Sequence, residues 1–355
     1  MARSSRLATD TPRPTEDLGS LLMRSSRLRL LGSLLLKRLL GMPESYDQLF
    51  SGPLVRVDAL APDLAAIPAN GAAHSIASLK VMSWNLLAPP YVRPEREADA
   101  RAMARAERQI ALVAQHNPDV VGLQEFWHAS ESFVGLWRDF AYRHGYVLHV
   151  APRVDGKRDG CVLLVRAACL SRAPTFECFT YNDWGSRVLQ VAKLHIVGGS
   201  VPLTLMQTHL TFPHDSAHDP PMRRHQARKI AELTRVATGP TLVFGDLNTA
   251  DEADEALSVL TSLGGLRPMP PSTTVGDQWV SHLAHTGAWF ACDRFLTRGE
   301  LTVKDWQLVG SADNLALSEA RLSDHLPVLA DCALGDAVRE LPTDQRDDEL
   351  TAGMH

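Results

Sequence analysis

Cysteine is scarce in this chain and follows no framework. Five cysteines (Cys161, Cys169, Cys178, Cys292 and Cys332) are spread over 355 residues, and none forms a CxxC pair. An odd count at irregular spacing argues against a disulfide scaffold and fits a reducing compartment inside the cell, cytoplasmic or organellar. Long apolar runs are missing too. No stretch approaches the roughly 20 residues that span a bilayer, and the longest, from Leu30 to Leu40, is interrupted by Gly32, Ser33, Lys37 and Arg38. Nor is there an excess of positive charge: the formal net charge is -5. No global basic field recruits a polyanion, so a phosphate-bearing substrate has to be gripped by a local patch or a bound cation. With 45% hydrophobic and 22% charged residues the chain can bury a substantial core.

Three regions are expected. Residues 1–77 lack strand alternation and form an N-terminal extension. Within it, residues 18–41 are Leu-rich and carry Arg24, Arg27, Arg29, Lys37 and Arg38. That pattern fits a basic amphipathic helix, which could touch a membrane surface, direct the chain to an organelle or cap the domain behind it. Residues 78–334 alternate short apolar runs with helical patterns and are expected to be the catalytic domain. Residues 335–355 are polar and acidic, as in a disordered tail. In the central region strands are predicted at 79–84, 119–123, 146–150, 161–166, 188–197, 203–207, 241–244, 289–296, 301–308 and 326–330. Helices are predicted at 96–116, 130–143 and 219–236. Many strands without strict strand–helix alternation predict sheet packed on sheet with helices outside.

Polar residues recur where these apolar runs stop. Asn85 follows Val81-Met82-Ser83-Trp84, Glu125 follows Val120 to Gln124, and His209 follows Leu203 to Thr208. Asp246 and Asn248 follow Leu242-Val243-Phe244-Gly245, and Asp324-His325 precede Leu326-Pro327-Val328. One polar strand end means little, but several fit loops converging at one end of a scaffold. Asp246-Leu247-Asn248 places an acid and an amide on one face of extended chain, a pair suited to orienting a hydrolytic water. The same residues would equally serve as a helix cap before residues 251–263. A calcium loop does not fit here, because Asp251 stands where such a loop needs glycine. Ser323-Asp324-His325 reads either as an acid–imidazole pair or as a capped turn, and Asp293 offers a partner that would fix the imidazole tautomer.

Together these segments resemble the endonuclease/exonuclease/phosphatase superfamily, the deoxyribonuclease I-like enzymes. Ser83-Trp84-Asn85, Leu123-Gln124-Glu125, Thr208-His209-Leu210, Gly245-Asp246-Leu247-Asn248, Cys292-Asp293-Arg294-Phe295 and Ser323-Asp324-His325 occur in that superfamily's order over about residues 78–333. The resemblance implies a four-layer α/β sandwich, two packed and mainly antiparallel sheets flanked by helices. It implies Mg²⁺ or Mn²⁺ held by Glu125 with Asn85 and Asp324 nearby, a water oriented by Asp246 and Asn248, and leaving-group help from His209. It also implies His325, held by Asp293, donating to a non-bridging oxygen, and Arg187 with Asn182 gripping phosphate. Carboxylate ligands without a Cys/His cluster point the same way, to a hard cation.

The context of Asn85, with Leu87 where apurinic endonucleases carry Asp, is similar to the deadenylase and nocturnin branch, as is Asp159-Gly160-Cys161. Plant-type proteins of the superfamily resemble the chain further at Trp127, residues 208–215 and Trp279-Val280-Ser281-His282; the EF-hand they carry has no counterpart in these 355 residues. Tyr181 is the candidate for the tyrosine that nucleases of this kind place in the site. Residues 212–228, with His214, His218, Arg223, Arg224, His225 and Arg228, read either as a phosphate-gripping loop or as a solvated helix face. His282 and His285 could reach the cleft, although a hydrogen-bonded structural histidine is the preferred reading of each. The expected activity is metal-dependent hydrolysis of a phosphodiester by a monomer, with RNA or DNA as substrate. A phospholipid or small phosphoester is the alternative, and an inactive binding scaffold the third reading.

Overall fold

The computed structural model describes residues 52–59, 75–93, 95–214, 216, 218–249, 253–269, 280–310 and 321–335. The amphipathic stretch at 18–41 and the tail beyond residue 335 lie outside them. The strands in chain order are β1 (Val55–Arg56), β2 (Ser78–Asn85), β3 (Val120–Phe126), β4 (Tyr146–Pro152), β5 (Gly160–Arg166), β6 (Thr175–Thr180), β7 (Val188–Leu194) and β8 (Leu203–His209). They continue with β9 (Thr241–Asp246), β10 (Arg267–Pro268), β11 (His282–Leu283), β12 (Trp289–Phe290), β13 (Asp293–Arg298), β14 (Leu301–Leu308) and β15 (Val328–Leu334). The helices are α1 (Asp99–His116), α2 (Glu131–Arg143), α3 (Asp219–Val236) and α4 (Glu255–Gly264).

Local chemistry sets the helix ends. Ser130 accepts a hydrogen bond from the Phe133 amide at the start of α2, and Pro220-Pro221 open α3. Asn117, in the left-handed region at φ 47°, closes α1 ahead of Pro118. The cap of α4 is Asp254, which accepts from the Ala256 amide. Capping therefore does not account for Asp246 or Asn248.

Two sheets result. One orders its strands β1-β6-β7-β8-β9-β13-β10 and the other β14-β15-β2-β3-β5-β4; β11 and β12 form a separate two-residue ribbon. Between the sheets lie Leu79, Val81, Leu163, Leu205, Phe244 and Phe295. The outer face of the six-stranded sheet packs Met82, Trp84 and Leu123 against Trp137, Ala102 and Val113 of α2 and α1. The outer face of the seven-stranded sheet packs Leu189, Met206 and Val243 against Ala227, Ile230 and Leu260 of α3 and α4. The chain is thus an α/β sandwich of four layers, as the resemblance implied. Among the described residues no helix is long and apolar enough to cross a membrane, and all five cysteines are buried and free.

Each sheet is mixed. Among the described residues each contains one parallel pair, β2 with β3 and β8 with β9, and the other pairings are antiparallel. A parallel pair needs a crossover, which α1 and α3 supply. The run 289–296 divides into β12 and β13, and β6 is a strand not foreseen, because Phe176, Glu177 and Phe179 are only partly buried and blur its alternation. Within the expected extension, Val55–Arg56 pair with Phe179–Thr180 of β6 at the edge of the seven-stranded sheet.

Candidate active site

Both parallel pairs stop at the same end of the sandwich, and polar side chains gather there. Asn85 closes β2 beside Gln124 of β3, and His209 closes β8 beside Asp246 of β9. One amide nitrogen ties the two sheets together: Asn85 Nδ2 donates to Asp246 Oδ2 at 2.9 Å and to Glu125 Oε1 at 3.3 Å. Asp246 Oδ2 also lies 3.3 Å from His209 Nε2 and 3.6 Å from His325 Nε2. On its far side the His325 ring meets Asp293, with Nδ1 2.9 Å from Oδ2. Asp293 sits directly across from Asp246 in the β9–β13 ladder. Asp324 faces His282, its Oδ2 3.7 Å from Nε2.

Backbone geometry serves these placements. Glu125 takes a left-handed φ of 51° at a register shift in β3, a bulge that re-aims its carboxylate. Its Oε2 accepts from the Ala88 amide at 2.9 Å. Asn248 is likewise left-handed, at φ 50°; its amide N–H donates to Asp246 Oδ1 and its Nδ2 to the Leu210 carbonyl at 2.8 Å. Gly245, at φ 135°, lets the chain pass Thr208, whose carbonyl oxygen stands 2.1 Å from where a Cβ would be. The Ser323 hydroxyl donates to the Asn85 carbonyl at 2.6 Å and accepts from the His325 amide, stitching the Asp324-His325 segment to β2.

The charges divide unevenly. Burial, then the nearby Asp324 and Asp159 carboxylates, push Glu125 up to about 7. Burial would raise Asp246 as well, but His209, His325 and the Asn85 hydrogen bond hold it well below the usual carboxylate range. Asp324 is lowered to about 2, the His282 contact and His325 outweighing burial. His325 is raised to about 10, because Asp293 and Asp246 overcome its desolvation. His209 is pushed well below its ordinary value by burial and by Arg187. Arg153 and Arg187 both act on the Glu125 charge, but among the described residues no ion pair joins either to it, and a carboxyl held up in this way is one beside which an added divalent ion is favoured. Glu125 and Asp324 offer hard carboxylate oxygens, whereas Asn85 turns its Nδ2 to the cluster and its Oδ1 accepts from the Leu87 amide at 3.0 Å. Among the described residues the His and carboxylate side chains close enough to share an ion form two groups around His325, one with His282 and Asp324 and the other with Asp246 and Asp293; Glu125 belongs to neither.

The two residues expected to grip phosphate part company. Arg187 precedes β7 half-buried, and its Nη1 is buried without a hydrogen-bond partner. Its charge is felt by Asp159, Glu125 and Asp246. Asn182 is exposed at the β6–β7 turn with its side chain against Gly52, and no hydrogen bond joins it to the cluster among the described residues. Tyr181 is fully buried in the core, its hydroxyl donating to Thr208 Oγ1 at 2.9 Å. In the 212–228 segment Arg223 and His225 follow neither expectation. Arg223 is buried and donates to the Thr211 and Leu247 carbonyls and to Asp254, and His225 Nε2 lies 2.9 Å from the Tyr181 carbonyl.

Several residues around the site carried no prior assignment. Arg105 of α1 donates to the carbonyls of Leu86, Leu87 and Leu322 while pairing with Glu97, and Gln109 donates to Leu86 and Leu322 as well. Arg153 pairs with Asp159, which also accepts from the Tyr91 hydroxyl at 2.8 Å. The available signal was a charged residue at a core-facing helical position, since Arg105 shares the buried face of α1 with Ala102, Ala106 and Gln109.

A profile of the Endonuclease/Exonuclease/phosphatase family matches residues 82–325. A protein of Arabidopsis thaliana named as an uncharacterized calcium-binding protein is 26% identical over 241 residues, 59% of this chain and 49% of its own length. The chain therefore spans about half the length of that relative. Among solved structures, the human nocturnin catalytic domain with bound sulfate is 18% identical with a TM-score of 0.53, covering 73% of this chain and 94% of the other. TDP2 of D. rerio complexed with a single strand DNA product is 18% identical with a TM-score of 0.55, covering 72% and 98%. ANGEL2, a 2',3'-cyclic phosphatase in complex with adenosine-2',3'-vanadate, is 15% identical with a TM-score of 0.59, covering 82% and 100%.

Proposed function

Because the chain belongs to the endonuclease/exonuclease/phosphatase family, we propose that it is a Mg²⁺- or Mn²⁺-dependent phosphodiesterase acting on single-stranded nucleic acid. The observation that carries this reading is the junction at Asp246. Side chains from β2, β8, β13 and the segment before β15 meet there, and Glu125 of β3 lies one amide away.

The divalent cation would be held by Glu125 with Asn85 and Asp324, and when bound it neutralises phosphate charge and polarises the P–O bond. Asp246, ionised at neutral pH, accepts a hydrogen bond from the attacking water and orients it. Asn248, fixed through Leu210, keeps that carboxylate in place by donating its amide N–H to Oδ1. His325, cationic through Asp293, donates to a non-bridging phosphate oxygen as negative charge builds there. Arg187 contributes its buried, unpartnered Nη1 to the phosphate. His209 remains neutral and serves the leaving-group side.

A shelf of rings favours a nucleic-acid substrate over a lipid. Phe212 and Phe290 stand half-buried and edge to face 5.9 Å apart, Phe212 lies 6.2 Å from the His282 ring, and Trp289 next to Phe290 is exposed. Aromatic faces next to a phosphate-handling centre suit unpaired bases, which stack on them without sequence preference. The DNA product and the adenosine vanadate bound in the two solved structures are ligands of that chemistry.

Hydrolysis of bis-p-nitrophenyl phosphate with Mg²⁺, lost in Asp246→Ala and lost at low Mg²⁺ in Glu125→Gln, is the expected result. A substrate panel of single-stranded RNA, single-stranded DNA, sphingomyelin, phosphoinositides and NADP then ranks the classes. Turnover of lipid with none of oligonucleotide would replace the nuclease reading. A folded wild type that cleaves nothing with Mg²⁺ or Mn²⁺ would leave an inactive scaffold.

A further inference from the structure

The Ser281-His282 pair belongs to a stretch that the reaction leaves without a role, yet it touches both halves of the His325 arrangement. The His282 ring stacks on the His325 ring at 4.2 Å between centroids and 15° between planes. Its Nε2 lies 3.7 Å from Asp324 Oδ2 and its Nδ1 3.6 Å from Cys292 Sγ. The backbone repeats the connection. His282 bridges His325 in antiparallel fashion, the Leu326 amide donates to the Ser281 carbonyl at 2.8 Å, and the Leu283 amide donates to the Asp324 carbonyl at 3.0 Å. On the other side the Ser281 hydroxyl accepts from the amides of Cys292 and Asp293, both at 3.2 Å. His282 also pairs across the β11–β12 ribbon with Phe290, whose ring lies 6.0 Å away in a stacked arrangement.

An imidazole held at one nitrogen can still tilt about that hydrogen bond. Asp293 fixes His325 at Nδ1 alone, and the Asp246 contact at Nε2 is long. A second ring lying parallel against its face removes the tilt, at little cost because His282 is itself buried and fixed by its backbone. We infer that His282 is a positioning residue of the hydrolytic centre, holding the plane of the His325 imidazole by stacking and the Asp324 carboxylate by contact. This rests on the hydrolase reading above. Stacking is the larger part, since 3.7 Å between Nε2 and Oδ2 exceeds a hydrogen-bond length.

Three variants of the full chain separate the contributions: His282→Ala removes ring and polar atom, His282→Phe keeps a ring, and His282→Gln keeps a polar group. Steady-state kinetics on bis-p-nitrophenyl phosphate with saturating Mg²⁺ are read beside the thermal midpoint. His282→Ala is expected to lower kcat on the order of 30-fold with KM changed less than about threefold, as a small misplacement of a reacting group does. His282→Phe is expected to recover most of that loss, and His282→Gln little of it. A His282→Ala enzyme within about threefold of wild type, or a His282→Phe enzyme no better than His282→Gln, would overturn the inference. Should the alanine variant melt early, the Phe and Gln variants decide alone. A wild type inactive with both cations overturns the hydrolase reading, and the inference falls with it; an active wild type indifferent to His282 overturns the inference only.

Discussion

The two sheets present the same device at the site end and use it for opposite electrostatics. In one, β2 and β3 run parallel around α1 and deliver Asn85 and Glu125; in the other, β8 and β9 run parallel around α3 and deliver His209 and Asp246. Each crossover helix sends a buried arginine to the carbonyls of the loops it backs, Arg105 to Leu86, Leu87 and Leu322, and Arg223 to Thr211 and Leu247. The acid of the second half is satisfied within the chain, ringed by His209, His325 and Asn85. The acid of the first half is not: Glu125 has burial and two other carboxylates against it. One architecture thus yields a half whose acid is ringed by hydrogen-bond donors and a half whose acid is held up to about 7, and the proposed cation is assigned to the second.

The largest test of this division is catalytic. Asp246→Asn should lower kcat on the order of 10³-fold at any Mg²⁺ concentration, as loss of a preorganised polar group does. Glu125→Gln should lose a comparable factor at low Mg²⁺ and recover part of it as Mg²⁺ is raised. Identical Mg²⁺ responses in the two variants would break the comparison.

Next come the clamps. Arg105→Ala and Arg223→Ala each strand a partly buried carboxylate, Glu97 or Asp254, and several buried carbonyls. Denaturant unfolding should show losses of about 3–5 kcal/mol for each. If one arginine proves dispensable, the two halves are built differently after all.

The halves should also part in stability without a cation. A carboxyl raised to about 7 in the folded state, as Glu125 is, favours folding below its unfolded value near 4.5 and disfavours it increasingly as pH rises towards 7. Cation-free Glu125→Gln should therefore melt at or above wild type at pH 7.5. Asp246 is depressed, so its ionised form stabilises the fold above its ordinary range, and Asp246→Asn should cost about 1–3 kcal/mol there. Equal signs for the two in calorimetry would contradict the assignment.

The smallest effect is a reference point away from the site. His149, buried in β4 and stacked on Phe176 at 4.3 Å, is lowered to about 4 by desolvation. A histidine depressed on folding keeps its stabilising effect above about 6.5 and loses it as pH falls towards 4. His149→Gln should flatten the pH dependence of the melting point across that window alone, leaving the response to Mg²⁺ unchanged.

Much of the site was legible in the sequence because strands announce their ends. Asn85, Glu125, His209 and Asp246 each follow an apolar run; Asn248 meets Asp246 not by the extended period of two but through a left-handed turn after β9 that brings its backbone N–H to Oδ1. β6 was not legible, because its partly buried residues lack clean alternation. The arginine clamps were hidden for a different reason. Arg105 shares a helix face with Ala102 and Ala106, which marks it as core-facing, but only the carbonyls it meets, up to 217 residues away in sequence for Leu322, give it a role. His282 was read as a structural histidine; its stack on His325 joins segments that no spacing rule connects.

The central claim is that the Glu125 half, rather than the histidine-ringed half, receives the cation. Anomalous diffraction from crystals grown with Mn²⁺ locates that ion directly. The account predicts a peak in contact with the Glu125 carboxylate. A peak coordinated by Asp246, Asp293 and His325 with Glu125 left free, or no peak at saturating Mn²⁺, would contradict it.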